Sequence, residues 1–455
     1  MELVSDRNLN VINNKKFFNQ NKKYNFKDVL NEVQNFMANK YASLLRDNED
    51  KKDKSIQIKS YIKQFLISKQ IEVDNLSQDE LVNKLYRDMA EYSFLTDYLK
   101  RNDIEEININ AWNNIKILYS DGEVKPSDEI FISPDHAVDV VRRLLRKSNM
   151  ILDNSNPIAR GHLSKNIRIT VLGGEVIDDD VGVVASIRIV NPKKLGKEDF
   201  IKNETGSIEM IESLEQFFKY GVSMCIAGST NCGKTTLMAW LLSTISDDKR
   251  IYTIENDTRE FDLVKKDKDG KIINSVIHTV TRHNEDKYKN IDQEKLLETA
   301  LTSNPDYICV GEMKGSESFS AQESARTGHT VITTTHANSC DATYPRMVTL
   351  CKTKYDMEDK TLYELVTEAF PIVFFVKRLE DNSRKIMEIK ECIIHEDGRR
   401  EKQTLFKYEI TSSQKIDGKT KITGEFKRVN NISEQLQQRL LENGMPTNDL
   451  KKLVR

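Results

Sequence analysis

Apolar residues recur at three- and four-residue spacing between residues 26 and 100, which is typical of amphipathic helices. The predicted buried faces consist of three groups: Val29, Val33, Phe36 and Met37; Ile58, Ile62, Phe65 and Leu66; and Leu81, Leu85 and Met89. Ser77 and Glu80 have the spacing of a capping box ahead of the last group. The pattern predicts a helical bundle within residues 1–103, after an Asn- and Lys-rich arm over 1–25.

Alternating apolar and polar residues replace the helical spacing near Ile104. Segments 106–109 and 115–119 flank Asn113-Asn114 and predict a β-hairpin. Ser133-Pro134 predicts a helix start, because Pro is favoured at the first helical position. Segments 166–172 and 183–190 predict two further strands. We therefore predict an α+β domain over residues 104–191, followed by a polar linker over 192–206.

Short, strongly apolar runs predict the strands of a third unit over residues 207–455, which includes a C-terminal extension. The runs cover 222–227, 251–254, 307–310, 331–335 and 372–376. Most of the intervening segments are long enough for crossover helices, so we predict a parallel sheet. Segment 261–280 has Asp269-Gly270 near its centre and predicts a β-hairpin insert instead.

A glycine-rich loop follows the first of these strands and matches the phosphate-binding pattern Gly-x-x-x-x-Gly-Lys-Thr. We predict that it binds the phosphates of ATP through Gly228, Ser229, Thr230, Asn231, Cys232, Gly233, Lys234, Thr235 and Thr236. The Thr235 hydroxyl is also predicted to bind Mg²⁺, because that ion prefers oxygen ligands. Leu237, Leu241 and Ile245 predict a helix that begins at the loop, and a helix N-terminus favours anions. The same position predicts a lowered thiol pKa for Cys232.

Polar residues follow three other predicted strands, at the edge where ligands bind in an open parallel sheet. Glu312 is predicted to orient or deprotonate the water that attacks the γ-phosphate. Glu255 is predicted to bind Mg²⁺ through water or to help hold the attacking water. His336 is predicted to sense the γ-phosphate, and His329 is a further candidate for the nucleotide site. For each residue the alternative is a solvated or structural side chain.

The overall composition narrows the possible classes of function. The 69 Lys and Arg residues nearly balance 71 Asp and Glu residues, so no general attraction to nucleic acid or anionic membranes is expected. No apolar run approaches the roughly 18 residues that cross a bilayer. The N-terminal residues lack a signal-peptide pattern, so we expect a cytoplasmic location. The six cysteines include no Cys-x-x-Cys pair, which argues against a zinc ribbon or a disulfide framework.

Four motifs, in this order, resemble those of secretion traffic ATPases, the hexameric motors of type II secretion, type IV pili and type IV secretion. They are the loop at 228–235, an acidic segment at 253–260, the segment 305–312 that ends in Glu312, and a histidine segment at 327–339. Within this superfamily the chain resembles most the CpaF-like ATPases of Tad/Flp pili. That resemblance also rests on Glu105-Glu106-Ile107-Asn108-Ile109-Asn110, Asp153-x-Ser155-x-Pro157 and Ser186-Ile187-Arg188.

The resemblance implies an α/β fold: a RecA-like P-loop NTPase domain, preceded by a smaller α+β (PAS-like) domain and the helical bundle. It implies a homo-hexamer that hydrolyses ATP with Mg²⁺ and associates peripherally, through inner-membrane platform proteins, with the cytoplasmic face of the membrane. It does not imply direct membrane insertion. It also implies that the smaller domain is hinged, so that Arg168 and Arg188 close onto the phosphates.

The sequence departs from the family pattern at two positions. Asn256 stands where the family usually has Asp, so whether Glu255 or Asp257 faces the metal stays open. Lys314 replaces an arginine that is common after the position of Glu312. The alternatives are a DNA-directed RecA-like motor, the ATPase of a conjugative DNA-transfer system, and a nonenzymatic nucleotide-gated scaffold. A nucleic acid partner is not expected.

Overall fold

Three helices form a bundle at the N-terminal side of the described chain. The computed structural model describes residues 24–46, 51–164, 166–189, 195–256, 259–282 and 287–454, so most of the arm predicted over 1–25 lies outside it. The bundle consists of α1 (Phe26–Arg46), α2 (Lys51–Lys69) and α3 (Gln78–Ala90). Its core includes Val33, Ile62 and Leu85, which are fully buried. Ser77 and Glu80 form the predicted capping box at the start of α3.

A six-stranded antiparallel sheet follows the bundle. Its strands are β1 (Ile104–Ala111), β2 (Asn114–Tyr119), β3 (Val124–Pro126), β4 (Ile158–Ser164), β5 (Ile167–Leu172) and β6 (Val184–Ile189). They lie in the order β3-β2-β1-β6-β5-β4. The domain also contains α4 (Leu95–Tyr98) and α5 (Pro134–Arg146), and Ser133 caps α5 as predicted. The predicted hairpin is β1–β2, whereas β3 and β4 were not predicted.

The two faces of this sheet differ in polarity. Alternate residues such as Ile107, Ile169 and Ile187 share one core with Val140 and Leu144 of α5.

The residues that alternate with them are polar and only half-buried. Arg188 on β6 lies opposite Glu106 on β1 and Arg168 on β5, and Arg168 lies opposite His162 on β4. Both predicted arginines therefore lie in one row across a polar face.

A nine-stranded sheet organises the rest of the chain. Its strands are β7 (Met224–Gly228), β8 (Arg250–Glu255), β9 (Ser275–Val280), β10 (Tyr307–Val310), β11 (Thr330–Thr335), β12 (Ile372–Arg378), β13 (Arg384–Ile394), β14 (Arg400–Ile416) and β15 (Lys419–Arg428). They lie in the order β15-β14-β13-β12-β7-β11-β10-β8-β9. The six strands from β12 to β9 are parallel, and β13, β14 and β15 are antiparallel. The predicted parallel sheet is confirmed.

Helices cover both faces of this sheet, as a parallel sheet requires. They are α6 (Lys197–Lys202), α7 (Ile208–Lys219), α8 (Lys234–Ser243), α9 (Gln293–Thr302), α10 (Glu317–Arg326), α11 (Cys340–Cys351), α12 (Asp359–Ala369), α13 (Glu434–Glu442) and α14 (Thr447–Leu453). One core includes Phe218 and Leu237, and the other includes Leu297 and Tyr344. Across the described ranges, no helix has both the length and the apolarity to span a bilayer.

Part of the segment predicted as a linker belongs to the nine-stranded unit. Within 192–206, α6 buries Phe200, whose ring centroid lies 5.3 Å from that of Trp240. The Ile386 amide also donates to the Thr205 carbonyl at 2.7 Å. Because the segment is mostly polar, its composition did not predict that Phe200 packs into the core.

The β-hairpin predicted over 261–280 is wrong for most of its length. A single bridge between Lys266 and Ile272 flanks the Asp269-Gly270 turn. The residues of β9 instead extend the sheet as a parallel edge strand beside β8. Alternation predicts a strand in either arrangement but does not specify which strand it pairs with.

The bundle is attached to the smaller sheet through a buried polar cluster. Arg143 on α5 donates to the carbonyl oxygens of Met89 and Asp88 at 2.7 Å each, so it caps the C-terminus of α3. His136 Nε2 lies 3.5 Å from Asp88 Oδ1, and His136 Nδ1 accepts from the Ile132 amide at 3.2 Å. Burial, with the nearby Arg143 charge, lowers the pKa of His136 to about 4, while burial raises the pKa of Asp88.

We expect this cluster to make folding pH-dependent. Between about pH 6.5 and pH 4 the unfolded chain binds the His136 proton and the folded chain does not, so stability falls as pH falls through that window. The loss from pH 7 to pH 5 is on the order of 1–2 kcal/mol. Thermal melts should therefore show a smaller drop for His136→Asn, which still accepts from Ile132 but cannot titrate. The raised pKa of Asp88 instead increases stability as pH falls, and it does so in the wild type and in the variant alike. An equal fall in melting temperature between pH 7 and pH 5 for the two proteins would contradict the prediction.

Candidate functional site

The phosphate-binding loop joins β7 to α8 and is fixed by two glycines. Gly233 has a φ of 98°, which disfavours other residues at the start of α8. A Cβ atom on Gly228 would lie 2.4 Å from the Val376 carbonyl oxygen and 2.6 Å from Cys232 Sγ. Between these glycines, Ser229, Thr230 and Asn231 are exposed; beyond them, Thr235 is half-buried and Thr236 is exposed.

Lys234 lies buried against the inside of this loop. Its Nζ donates to the carbonyl oxygens of Gly228 at 3.0 Å and Ser229 at 2.7 Å. Burial lowers the pKa of Lys234, and the positive charge of Arg188 lowers it further, while the charge of Glu312 opposes both. The arginine of the smaller domain and the acid after β10 are thus both close enough to act on the loop lysine.

Glu312 follows β10 at the carboxyl edge of the sheet, beside the loop. Its Oε1 lies 2.7 Å from His336 Nε2, and its Oε2 lies 2.9 Å from Lys314 Nζ. The Oε1 contact has ion-pair distance without good hydrogen-bond geometry. Only 23% of the Glu312 side chain is exposed. Lys314, to which the sequence assigned no role, therefore contacts the candidate base directly.

His336 connects Glu312 to the phosphate-binding loop. It follows β11, which lies between β7 and β10, and its Nδ1 lies 3.1 Å from the Gly228 carbonyl oxygen. Both ring nitrogens therefore face oxygen atoms: Nδ1 lies at hydrogen-bond distance from the loop carbonyl, and Nε2 lies at ion-pair distance from the Glu312 carboxylate. The loop, the histidine and the glutamate form one continuous contact chain, as the strand-end positions predicted.

Side chains from three elements hold the backbone around Glu312. Gln293 Nε2 donates to the Glu312 carbonyl at 3.2 Å, and Thr334 Oγ1 donates to the Gly311 carbonyl at 2.8 Å. The Glu317 carboxylate accepts from the amides of Lys314 and Gly315. Gln293 lies in no recognisable motif, so sequence reasoning missed it.

Glu255, which was predicted to bind Mg²⁺ through water or to help hold the attacking water, is enclosed by protein donors. It is 2% exposed, and one oxygen accepts from Thr253 Oγ1 at 3.0 Å, while His278 Nδ1 lies 3.4 Å away. The other oxygen accepts from the amides of Glu260 and Phe261. Because protein donors occupy both oxygens, this geometry does not place Glu255 to bind Mg²⁺ or water. Asp257, the alternative acid, lies outside the described residues.

His329 lies at the opposite end of the parallel strands from the loop. It immediately precedes β11, and its Nδ1 lies 2.9 Å from the carbonyl oxygen of Pro305, ahead of β10. The loop follows the carboxyl end of the neighbouring parallel strand β7, so about six residues, or roughly 20 Å, of strand separate the two positions. The structure therefore does not bring His329 to the phosphate-binding loop.

Cys232 also differs from its prediction. Its side chain is fully buried, and burial raises the pKa of the thiol, whereas the nearby Lys234 charge only partly opposes that effect. The helix N-terminus does not produce the expected reactive thiolate, because desolvation of the sulfur dominates. Cys232 instead fills the space under Gly228.

The site fits a polyphosphate and a hard cation in its residue chemistry. Among the described residues, Lys234 Nζ bonds to two neutral loop carbonyls, and Arg188 adds a second positive charge that acts on it. Thr235 offers an oxygen ligand at the first turn of α8, while Glu312 supplies a nearby carboxylate. The hydroxyl and the carboxylate are oxygen ligands of the kind that a hard cation prefers. Within the described ranges no cluster of three His, Cys, Asp or Glu side chains could hold a metal.

The family comparison agrees with this arrangement. Residues 165–444 match the model of the family described as Type II/IV secretion system protein, so the chain belongs to that family. An uncharacterized protein of Bacillus anthracis is 24% identical over 373 residues, which cover 80% of this chain and 79% of that protein.

Two characterised relatives match a shorter region. The type IV secretion system protein VirB11 of Bartonella henselae is 30% identical over 180 residues, covering 39% of this chain and 48% of that protein. The type IV secretion system protein PtlH of Bordetella pertussis is 33% identical over 162 residues, covering 35% of this chain and 46% of that protein. The match thus spans less than half the length of each relative.

Solved structures give weaker likenesses. The Legionella pneumophila ATPase DotB has a TM-score of 0.45 and 17% identity, covering 79% of this chain and 85% of that one. The pilus retraction motor PilT with bound ADP has a TM-score of 0.45 and 16% identity, covering 79% of this chain and 89% of that one.

The burial of Cys232 gives a direct test of the loop geometry. All six cysteines are buried, so the native protein should react slowly with iodoacetamide at every one of them. Mass spectrometry after timed labelling should show rapid modification only once the chain is unfolded in urea. Rapid labelling of Cys232 alone in the folded protein would show that the loop exposes this thiol.

Proposed function

We propose that this protein is an ATPase that converts ATP hydrolysis into movement of its smaller domain against a secretion or pilus machine. The observation that carries the proposal is the convergence of three groups on one loop. Lys234 lies inside the loop, Glu312 reaches it through His336, and the charge of Arg188 on β6 of the other domain acts on Lys234. This combination suits phosphoryl transfer, in which positioning and charge stabilisation supply most of the catalysis.

Each residue then has a separate task. Bound ATP with Mg²⁺ would supply the phosphoryl group and the metal charge, and the Thr235 hydroxyl would be a protein ligand to the metal. Lys234 neutralises phosphate charge, and Glu312 accepts a proton from a water that it orients. His336 holds Glu312 against the loop. Arg188, with Arg168 beside it, supplies charge that depends on domain closure.

The wider assembly is also part of the proposal. Family membership and the VirB11 and PtlH relatives, which are named for secretion systems, support work with such a machine. The homo-hexamer and the cytoplasmic side of the membrane rest on the resemblance of the four motifs to secretion traffic ATPases. The CpaF-like segments at 105–110 and 186–188 favour the platform proteins of a Tad/Flp-type pilus. Neighbouring pilin and platform genes would support that assignment, and a neighbouring relaxase gene would favour conjugative DNA transfer.

We expect Glu312→Gln to bind ATP but to hydrolyse it about 10²–10⁴ times more slowly, because the amide keeps the shape and cannot accept a proton. Fluorescent-nucleotide titration and phosphate release measure the two properties separately. Glu323→Gln, which changes an exposed glutamate on α10, is the matched control and should retain both. Near-normal turnover by Glu312→Gln would remove Glu312 as the base. Turnover that requires added DNA would favour the DNA-directed alternative.

We expect Arg188→Ala to keep ATP affinity within a few-fold and to lose turnover by about 10³-fold or more, as for arginines supplied from outside the loop domain. Arg188→Lys should recover little activity, because lysine cannot form the bidentate contact. Steady-state kinetics and thermal melts together separate this role from a structural one. A parallel loss of melting temperature and affinity would instead indicate that Arg188 only supports the fold.

A further inference from the structure

Arg384, the first residue of β13, contacts both the phosphate-binding loop and the smaller domain. Its Nε donates to the Asn231 carbonyl at 3.2 Å, and its Nη2 lies 3.5 Å from Glu105 Oε2 on β1. Its Cδ also lies 3.3 Å from the position that a Cβ on Gly233 would occupy. The guanidinium group therefore spans the loop and a strand of the other domain.

Neighbouring residues show that this turn between β12 and β13 is where the two domains meet. Arg378 Nη2 donates to the Gly122 carbonyl at 3.2 Å, and a Cβ on Gly122 would lie 3.2 Å from Asn382 Cβ. The contact made by Arg384 is thus one part of a wider interface, and Arg384 extends that interface to the nucleotide loop.

We infer that Arg384 is a positioning residue that couples the phosphate-binding loop to the smaller domain through Glu105, and so holds Arg188 near Lys234. The inference rests on the proposed function, since it assigns a regulation of the same site. Glu105 immediately precedes Glu106, and Glu106 lies opposite Arg188 in the β1–β6 register. An ion pair to Glu105 therefore holds β1, the strand that pairs with β6, and Arg188 lies on β6.

The loop end of this link depends on the conformation of Asn231. Asn231 has a φ of 57°, in the left-handed region, and its carbonyl oxygen accepts from Arg384. A change in loop conformation on phosphate binding would move this carbonyl and, with it, the guanidinium group. The link can therefore transmit loop occupancy to the domain interface.

The ion pair is suited to a reversible latch. The side chains of Arg384 and Glu105 are 32% and 35% exposed, and partly exposed pairs change an equilibrium by up to about fivefold. A link of this strength can open and close during a cycle.

A charge swap in the full chain tests the link without requiring turnover. Because the native cysteines are buried, Asp128→Cys in the smaller domain and Asp397→Cys in the β13–β14 turn give two exposed sites for fluorophores. We expect Glu105→Arg and Arg384→Glu to reduce the closed fraction with Mg-ADP by about fivefold each. The double variant Glu105→Arg with Arg384→Glu re-forms the pair in reverse and should restore closure to within about twofold.

The matched control is Asp179→Arg, which makes the same charge change at an exposed position of the smaller domain and should leave closure unchanged. Turnover should fall in Glu105→Arg with little change in KM and recover in the double variant. The inference would be overturned if the single variants had the same closed fraction as the control. It would also be overturned if the closed fraction of the double variant were as low as that of the single variants. If the wild type closes, the double variant recovers closure, and no protein, including the wild type, hydrolyses ATP, the proposed ATPase activity would be rejected. The inferred link between Arg384 and Glu105 would still stand.

Discussion

The site depends on one constraint: the Lys234 ammonium must be held inside the sheet edge without a carboxylate partner of its own. The loop meets this need with the carbonyl oxygens of Gly228 and Ser229, which accept from Nζ but carry no negative charge. A buried cation with only neutral partners is costly, and an incoming polyphosphate relieves that cost. The close approach of the Val376 carbonyl to Gly228 and the positive φ of Gly233 both shape the loop around the Lys234 ammonium group.

Features set by local chemistry could be predicted from the sequence. The capping box at Ser77, the helix start at Ser133 and the loop glycines each depend on a few adjacent residues. Glu312 and His336 were also predictable as neighbours, because strand ends of one parallel sheet meet at one edge. Periodicity did not reveal which strand pairs with which, so β9 was predicted as part of a hairpin.

Features set by long-range packing could not be predicted. Glu255 has the right position along the chain, but the amides that occupy its carboxylate come from a turn whose path the sequence does not specify. His329 has the right residue type at the wrong end of its strand. Arg384 lies about 150 residues after the loop that it contacts, with no motif around it. The prediction of a lowered pKa for the Cys232 thiol was wrong because it took account of the helix N-terminus but not of burial, which raises that pKa.

The electrostatics of the two domains favour closure that depends on ligand. Arg168 and Arg188 lie directly opposite each other on neighbouring strands, an arrangement that like charges destabilise, and Arg188 also acts on Lys234. Bringing this row closer to the loop therefore costs free energy unless an anion lies between the two domains. The carboxylates of Glu105 and Glu106 offset part of that cost from the neighbouring strand. In the proposed cycle, release of phosphate would restore the repulsion, so the charges that would stabilise the closed form around an anion would also favour reopening afterwards.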